Sequence, residues 1–257
     1  MTHEVSGRRS ARVAGIGELG PRADATVIAL PLGRIAAGIW FAVAALIAAT
    51  FVAQLAHSAW GSGTIVNLFD SDQKLNFPSA MKILLLLGST GLLAILGMTV
   101  RDRHHRVRWL GMSGVFALLT IDEMTYMHQR LSDALHDAFG TNGPIRFAWI
   151  VVYIPLVIAL AVVYWPFWRK LPNPLRTQLL VAAILFGGGS GGIEVVKAEL
   201  FDDNHWKLTY GLVAALSDSL EFLGLALLFT ALLTTLRSVT AAVTITLDDH
   251  PSTDSRQ

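Results

Sequence analysis

Six stretches of this chain run for about twenty residues or more with few charges, and that pattern leaves few folds open. A hydrocarbon layer about 30 Å thick needs about 20 apolar residues in a helix. No water is available there, so every backbone N–H and C=O must be bonded within the segment. The stretches are 35–57, 81–100, 109–128, 147–168, 177–198 and 209–236. They predict an all-α polytopic membrane bundle with six transmembrane helices. Residues 1–33 and 238–257 are left as polar tails, with 34–237 as the transmembrane domain. Only 15% of the residues are Asp, Glu, Lys or Arg, against roughly 25% in soluble domains. A net charge of +1 gives no reason to expect a nucleic-acid partner; the expected partner is the lipid bilayer.

Basic residues set the orientation. With the N-terminus in the cytoplasm, fourteen of the twenty Lys and Arg residues fall inside: Arg8, Arg9, Arg12, Arg22 and Arg34; Arg101, Arg103, Arg106 and Arg108; Arg169, Lys170 and Arg176; Arg237 and Arg256. Lys74, Lys82, Arg130, Arg146, Lys197 and Lys207 fall outside. The expected topology is therefore N-in and C-in, in the cytoplasmic membrane of a bacterium.

Acidic residues occur where they are most costly. At 1.5 Å per residue, Asp122 and Glu123 lie about 20 Å from the inner boundary at Trp109, roughly 10 Å below the outer surface. Glu194 lies within about 5 Å of that surface, and Asp218 and Glu221 lie about 12 and 16 Å below it. Five carboxyl groups from three spans thus share the outer half, with His57 and His128 at its mouth. An ionised carboxylate at the centre of a span costs roughly 2.5–3.5 kcal/mol on insertion scales, so such a group faces a partner or a wet cavity. Three explanations are open: Lys82, Lys197 and Arg130 neutralise the carboxyls; a metal binds them; or they exchange protons or other cations.

Spacing sorts the donors. Asp218 and Glu221 are i and i+3 and share a helical face. Asp122 and Glu123 point about 100° apart, so one of the two faces the site directly. His128 joins only where the helix bends. One imidazole among several carboxyls suits Zn, Mn or Fe; the chain has no cysteine and no His-x-x-x-His. The leading expectation is a divalent metal held by Asp122, His128, Glu194, Asp218 and Glu221. Glu123 and Glu221 are the catalytic candidates for a reaction on a membrane-phase substrate. The alternatives are a proton- or cation-coupled transporter using Asp218, Glu221 and Glu194, and a scaffold with a structural ion-pair network.

The run Gly187-Gly-Gly-Ser-Gly-Gly192 stands directly before Ile193-Glu194. It predicts close approach of a neighbouring helix through small-x-x-x-small pairs, or else a broken helix whose carbonyls line a cavity. Pro78, near the start of the second span, sits where its missing N–H does no harm. Beyond Asp122, the third span is expected to continue as an amphipathic helix to Gly140.

Asn76-Phe-Pro-Ser79, Asp122-Glu123 with His128-Gln-Arg-Leu131, the glycine run with Glu194, and Asp218-Ser-Leu-Glu221-Phe-Leu-Gly224 together resemble a set of multi-pass bacterial membrane proteins with no assigned reaction. The resemblance covers about residues 65–230 and implies a polar intramembrane cluster. Where that set carries an acidic residue after the histidine, this chain has Gln129, which weakens the case for a ligand there. The membrane ceramidase-like hydrolases, with three histidines, an aspartate and a serine around zinc, are not matched.

Overall fold

A helix starts where its first N–H groups find acceptors, and two such starts position the functional residues. The computed structural model describes residues 31–61, 63–69, 76–139, 149–193, 195–197 and 208–239, and every regular element among them is helical. They form α1 (Leu32–Trp60), the single turn α2 (Thr64–Asn67), α3 (Phe77–Thr99), α4 (Arg103–Thr125), α5 (Met127–Phe139), α6 (Trp149–Arg169), α7 (Asn173–Gly187) and α8 (Leu208–Val239). A π-helical segment, Gly188–Ile193, continues α7. The tails expected at 1–33 and 238–257 fall almost wholly outside the described residues, and Glu194 lies outside them too.

At the start of α3, Asn76 and Ser79 cap each other: the Ser79 N–H donates to Asn76 Oδ1 at 2.8 Å and the Asn76 N–H to Ser79 Oγ at 3.2 Å. Pro78 stands in the first turn, where no donor is missed. This start places Lys82 a turn and a half into the helix. At the start of α4, Asp102 accepts from the His105 N–H at 3.1 Å and contacts the His105 ring. Hydrogen bonding first from the His105 side chain and then from its N–H holds the Asp102 carboxyl below the usual carboxylate range. A carboxyl lowered on folding adds stability above its unfolded range, and that stability is lost as pH falls through the folded value.

The longest helix, α8, is central: it packs against α1, α3, α7 and the π segment. Val43 and Leu46 of α1, Leu85 and Leu86 of α3, and Phe222, Leu225 and Ala226 of α8 form one apolar core. Nearer the other end, Leu93, Leu96, Trp109, Phe167, Leu228 and Leu232 form a second. Arg108 ties α4 to α6 there, donating to the Val163 carbonyl at 2.9 Å, while the Tyr164 hydroxyl donates to the Arg108 carbonyl at 3.3 Å.

Five helices among the described residues are long and apolar enough to cross a bilayer: Leu32–Trp60, Phe77–Thr99, Val152–Arg169, Asn173–Lys197 and Leu208–Val239. Their exposed apolar side chains, such as Phe41, Leu84, Leu87, Val157 and Val162, suit contact with lipid. The remaining expected span corresponds to α4. Its 23 residues equal α3 in length, about 35 Å, but Arg103, Arg106 and Arg108 at one end and Asp122 and Glu123 at the other make it more polar. Nor does that stretch run unbroken to residue 128: α4 stops at Thr125, and Tyr126 adopts a left-handed conformation (φ 54°) before α5 begins.

The glycine run does bring helices together, through Gly189 rather than the paired glycines at its ends. A Cβ on Gly189 would lie 2.6 Å from the Ser217 carbonyl oxygen and 2.9 Å from Cγ of Glu221, whereas Gly187, Gly188, Gly191 and Gly192 have open space around them. The Gly189 carbonyl accepts from the Ser217 hydroxyl at 2.8 Å. On α8, Gly224 answers in kind, with a Cβ there meeting the Phe186 nitrogen at 2.6 Å and the Ala182 carbonyl at 2.8 Å. The backbone widens into a π segment instead of breaking, a form common at functional sites.

Substituting Gly224→Leu should therefore destabilise the protein by about 1–3 kcal/mol or more through overpacking. Gly91→Ala, on a face with open space, should leave stability unchanged or slightly raised. Thermal unfolding in mild detergent decides it, and equal effects of the two would contradict the assigned packing.

Candidate functional site

The fold brings three of the acidic residues onto a single ammonium. Lys82 Nζ, from α3, lies 3.2 Å from Asp218 Oδ1, 3.3 Å from Glu221 Oε2 and 3.3 Å from Glu123 Oε1. Asp218 and Glu221 come from one face of α8 and Glu123 from the end of α4, so the lysine joins three helices. The four side chains are between 9% and 16% exposed, which places the whole cluster largely out of water. Asp218 Oδ2 is buried with no hydrogen-bond partner among the described residues.

Asp122 turns the other way. Its Oδ2 lies 2.9 Å from His128 Nδ1, while its Oδ1 accepts from the His128 N–H at 2.9 Å and from the Tyr153 hydroxyl at 3.1 Å. The left-handed Tyr126 makes this possible by folding the start of α5 back over the end of α4. The carboxylate then caps α5 and holds the imidazole at once. Trp149 completes the tier, with its ring edge-on to His128 at 5.7 Å and to Tyr153 at 5.2 Å.

The expected ligand set is therefore divided. Glu123, Asp218 and Glu221 meet at Lys82; Asp122 and His128 form a separate pair; Glu194 lies outside the described residues. Among the described residues no group of three or more His, Asp or Glu side chains has metal-holding geometry. The point shared by the three carboxyls is filled by the lysine ammonium. His57 is half-buried on the wall of the adjoining cavity. Lys197 is buried, with its ammonium 5.8 Å from the centre of the Tyr210 ring.

Sequence pattern alone does not single out Tyr153 or the central position of Lys82. A signal for Tyr153 is nevertheless present: it follows Trp149 by four residues, on the same face of α6 and about 6 Å from its start. That depth matches Asp122, which lies three residues before the end of α4.

Both groups line one large cavity of about 1470 Å³. It reaches from Gln54, Lys82 and Tyr153 past Met112 and Phe116 to Trp109 and Phe167. Its polar side chains gather at the carboxyl end; the other end is aromatic and aliphatic.

A profile for a domain of unknown function, DUF8692, matches residues 38–235. The chain belongs to this family. The DUF8692 match includes Lys82 and its three carboxyl partners, the Asp122 clamp and the π segment. No curated protein and no solved structure matches the chain.

Removing one partner of a buried ion pair leaves uncompensated charge and costs about 3–5 kcal/mol. Lys82→Met should destabilise the protein by about that amount, and adding Glu123→Gln and Asp218→Asn to it should recover more than half. Unfolding in detergent reads both; a triple variant no better than Lys82→Met would show that the lysine does not hold these carboxyls together.

Proposed function

We propose that this protein is a six-span carrier of the cytoplasmic membrane, with both termini in the cytoplasm. It takes up and releases protons or other small cations at the Lys82 cluster as a membrane-soluble substrate moves through the adjoining cavity. The observation that carries this reading is the charge imbalance at the cluster. One ammonium faces three carboxyls, so full ionisation leaves two negative charges in excess in a low-dielectric setting. Uptake of a cation relieves that excess, and its release restores it. Because Lys82 grips Glu123 on α4 and Asp218 and Glu221 on α8, each uptake also changes how strongly α4 and α8 are held to α3.

In this reading α4 is the sixth span. Arg103, Arg106 and Arg108 sit at its cytoplasmic end, and Asp122 and Glu123 at the other are engaged by His128 and Lys82. The metalloenzyme reading, with Zn, Mn or Fe on the same carboxyls and Glu123 or Glu221 as base, requires a metal to displace the lysine first. A cation-exchange site needs no such displacement.

Two measurements test the proposal. The chain has no cysteine, so Ser10→Cys and Ser252→Cys give clean labelling sites. Both should react with a membrane-impermeant thiol reagent only after the cytoplasmic face is opened; reaction from opposite sides would exclude an even number of spans. On a solid-supported membrane, a pH jump across reconstituted vesicles should displace charge transiently, and Glu123→Gln should remove most of the signal. A folded protein giving no displacement, or an unchanged one in the variant, would sink the exchange mechanism.

A further inference from the structure

The cavity beside the cluster is asymmetric in a way that specifies what it can hold. At one end stand Asp122, Glu123, Asp133, Asp218 and Glu221, against Lys82 and Lys197. From there to Trp109 the wall is almost entirely apolar, with Met112, Phe116 and Leu156 among its side chains. The distance along α4 from Asp122 to Trp109 is about 20 Å. Burial of a methylene is worth about 0.8 kcal/mol, so a slot of that length rewards a long alkyl chain, while the excess of carboxyls at its mouth repels an anionic headgroup.

A second observation points to the type of headgroup. The Asp218 side chain is 9% exposed and lines the cavity, and its Oδ2 has no hydrogen-bond partner among the described residues. A buried carboxyl oxygen lacking a donor is costly; Oδ2 itself is closed to solvent, so an arriving N–H satisfies it once the side chain turns toward the cavity. The Lys82 ammonium already engages the other oxygen. A group of the same chemistry as that ammonium therefore suits the unmatched acceptor, and Trp149 and Tyr153 on the cavity wall carry rings whose faces favour a cation.

We propose that the cavity binds a long-chain primary amine, its ammonium against Asp218 and Glu123 and its alkyl chain in the apolar slot toward Trp109. This names the substrate class of the carrier proposed above and rests on that reading. In exchange, an ammonium entering the cluster supplies the positive charge that a proton would otherwise bring, so amine and proton compete for the same carboxyls.

Binding of dodecylamine to the purified full chain in lipid nanodiscs, at fixed pH and with no gradient, tests the proposal against empty nanodiscs. Saturable binding should exceed that to empty discs. Dodecyltrimethylammonium, which has no N–H to donate, should bind about tenfold more weakly, and dodecyl sulfate should not compete. Asp218→Asn should weaken dodecylamine by about tenfold. Should that variant fail to fold, Ala183→Trp, which narrows the slot from α7, should weaken dodecylamine by a similar factor. Equal competition by dodecyl sulfate or dodecanol, or no saturable excess over empty discs, would overturn the assignment. Charge displacement without amine binding would discard this substrate class alone, and amine binding without charge displacement would discard the exchange mechanism alone.

Discussion

A lysine ammonium shared by three carboxyls, all four side chains largely buried, is the interaction on which the arrangement of helices depends. Each carboxyl alone would be expensive at that depth, and so would the lysine. Together they are tolerable only when the geometry is good and every helix contributes at the right height. That requirement fixes α3, α4 and α8 against one another. It also explains why the start of α3 is so firmly made: a shift of one residue at the Asn76–Ser79 cap would rotate Lys82 by about 100° and take it away from all three partners.

The glycine run serves the same cluster from behind. Gly189 lets the backbone of the π segment lie against Ser217 and the Glu221 side chain, which holds α8 close and limits where Glu221 can turn. Gly224 repeats the contact one helical turn beyond, against Ala182 and Phe186. Helices in lipid lack a hydrophobic force drawing them together, so close contact of this sort is a main source of association between α7 and α8.

Much of this is legible in the chain. The cost of burying charge makes the common depth of Glu123, Asp218 and Glu221 informative in the sequence itself, and the i, i+3 spacing puts two of them on one face. The 100° divergence of Asp122 and Glu123 is realised, one turning to His128 and the other to Lys82. What is not legible depends on how the helices rotate about their own axes. Periodicity in a nearly uniform apolar helix does not say which way Lys82 faces, and packing decides it. The break at Tyr126 has no Gly or Pro to announce it; the three hydrogen bonds to Asp122 stabilise a conformation that tyrosine alone disfavours. Which glycine makes the close approach depends on the partner helix, which a pattern within one segment does not contain.

Hydropathy counts every serine and threonine in these helices as polar, yet many present nothing polar to their surroundings. Thr50, Thr90, Thr120, Ser190, Ser219, Thr230 and Thr235 each return their hydroxyl proton to the carbonyl four residues earlier, at 2.6–2.9 Å. Seen from lipid or from a neighbouring helix they behave as small or branched apolar side chains. Once they are discounted, the charged side chains buried among the described helices gather mainly around Lys82 and Asp122, and most of the remaining helix surface is in effect apolar.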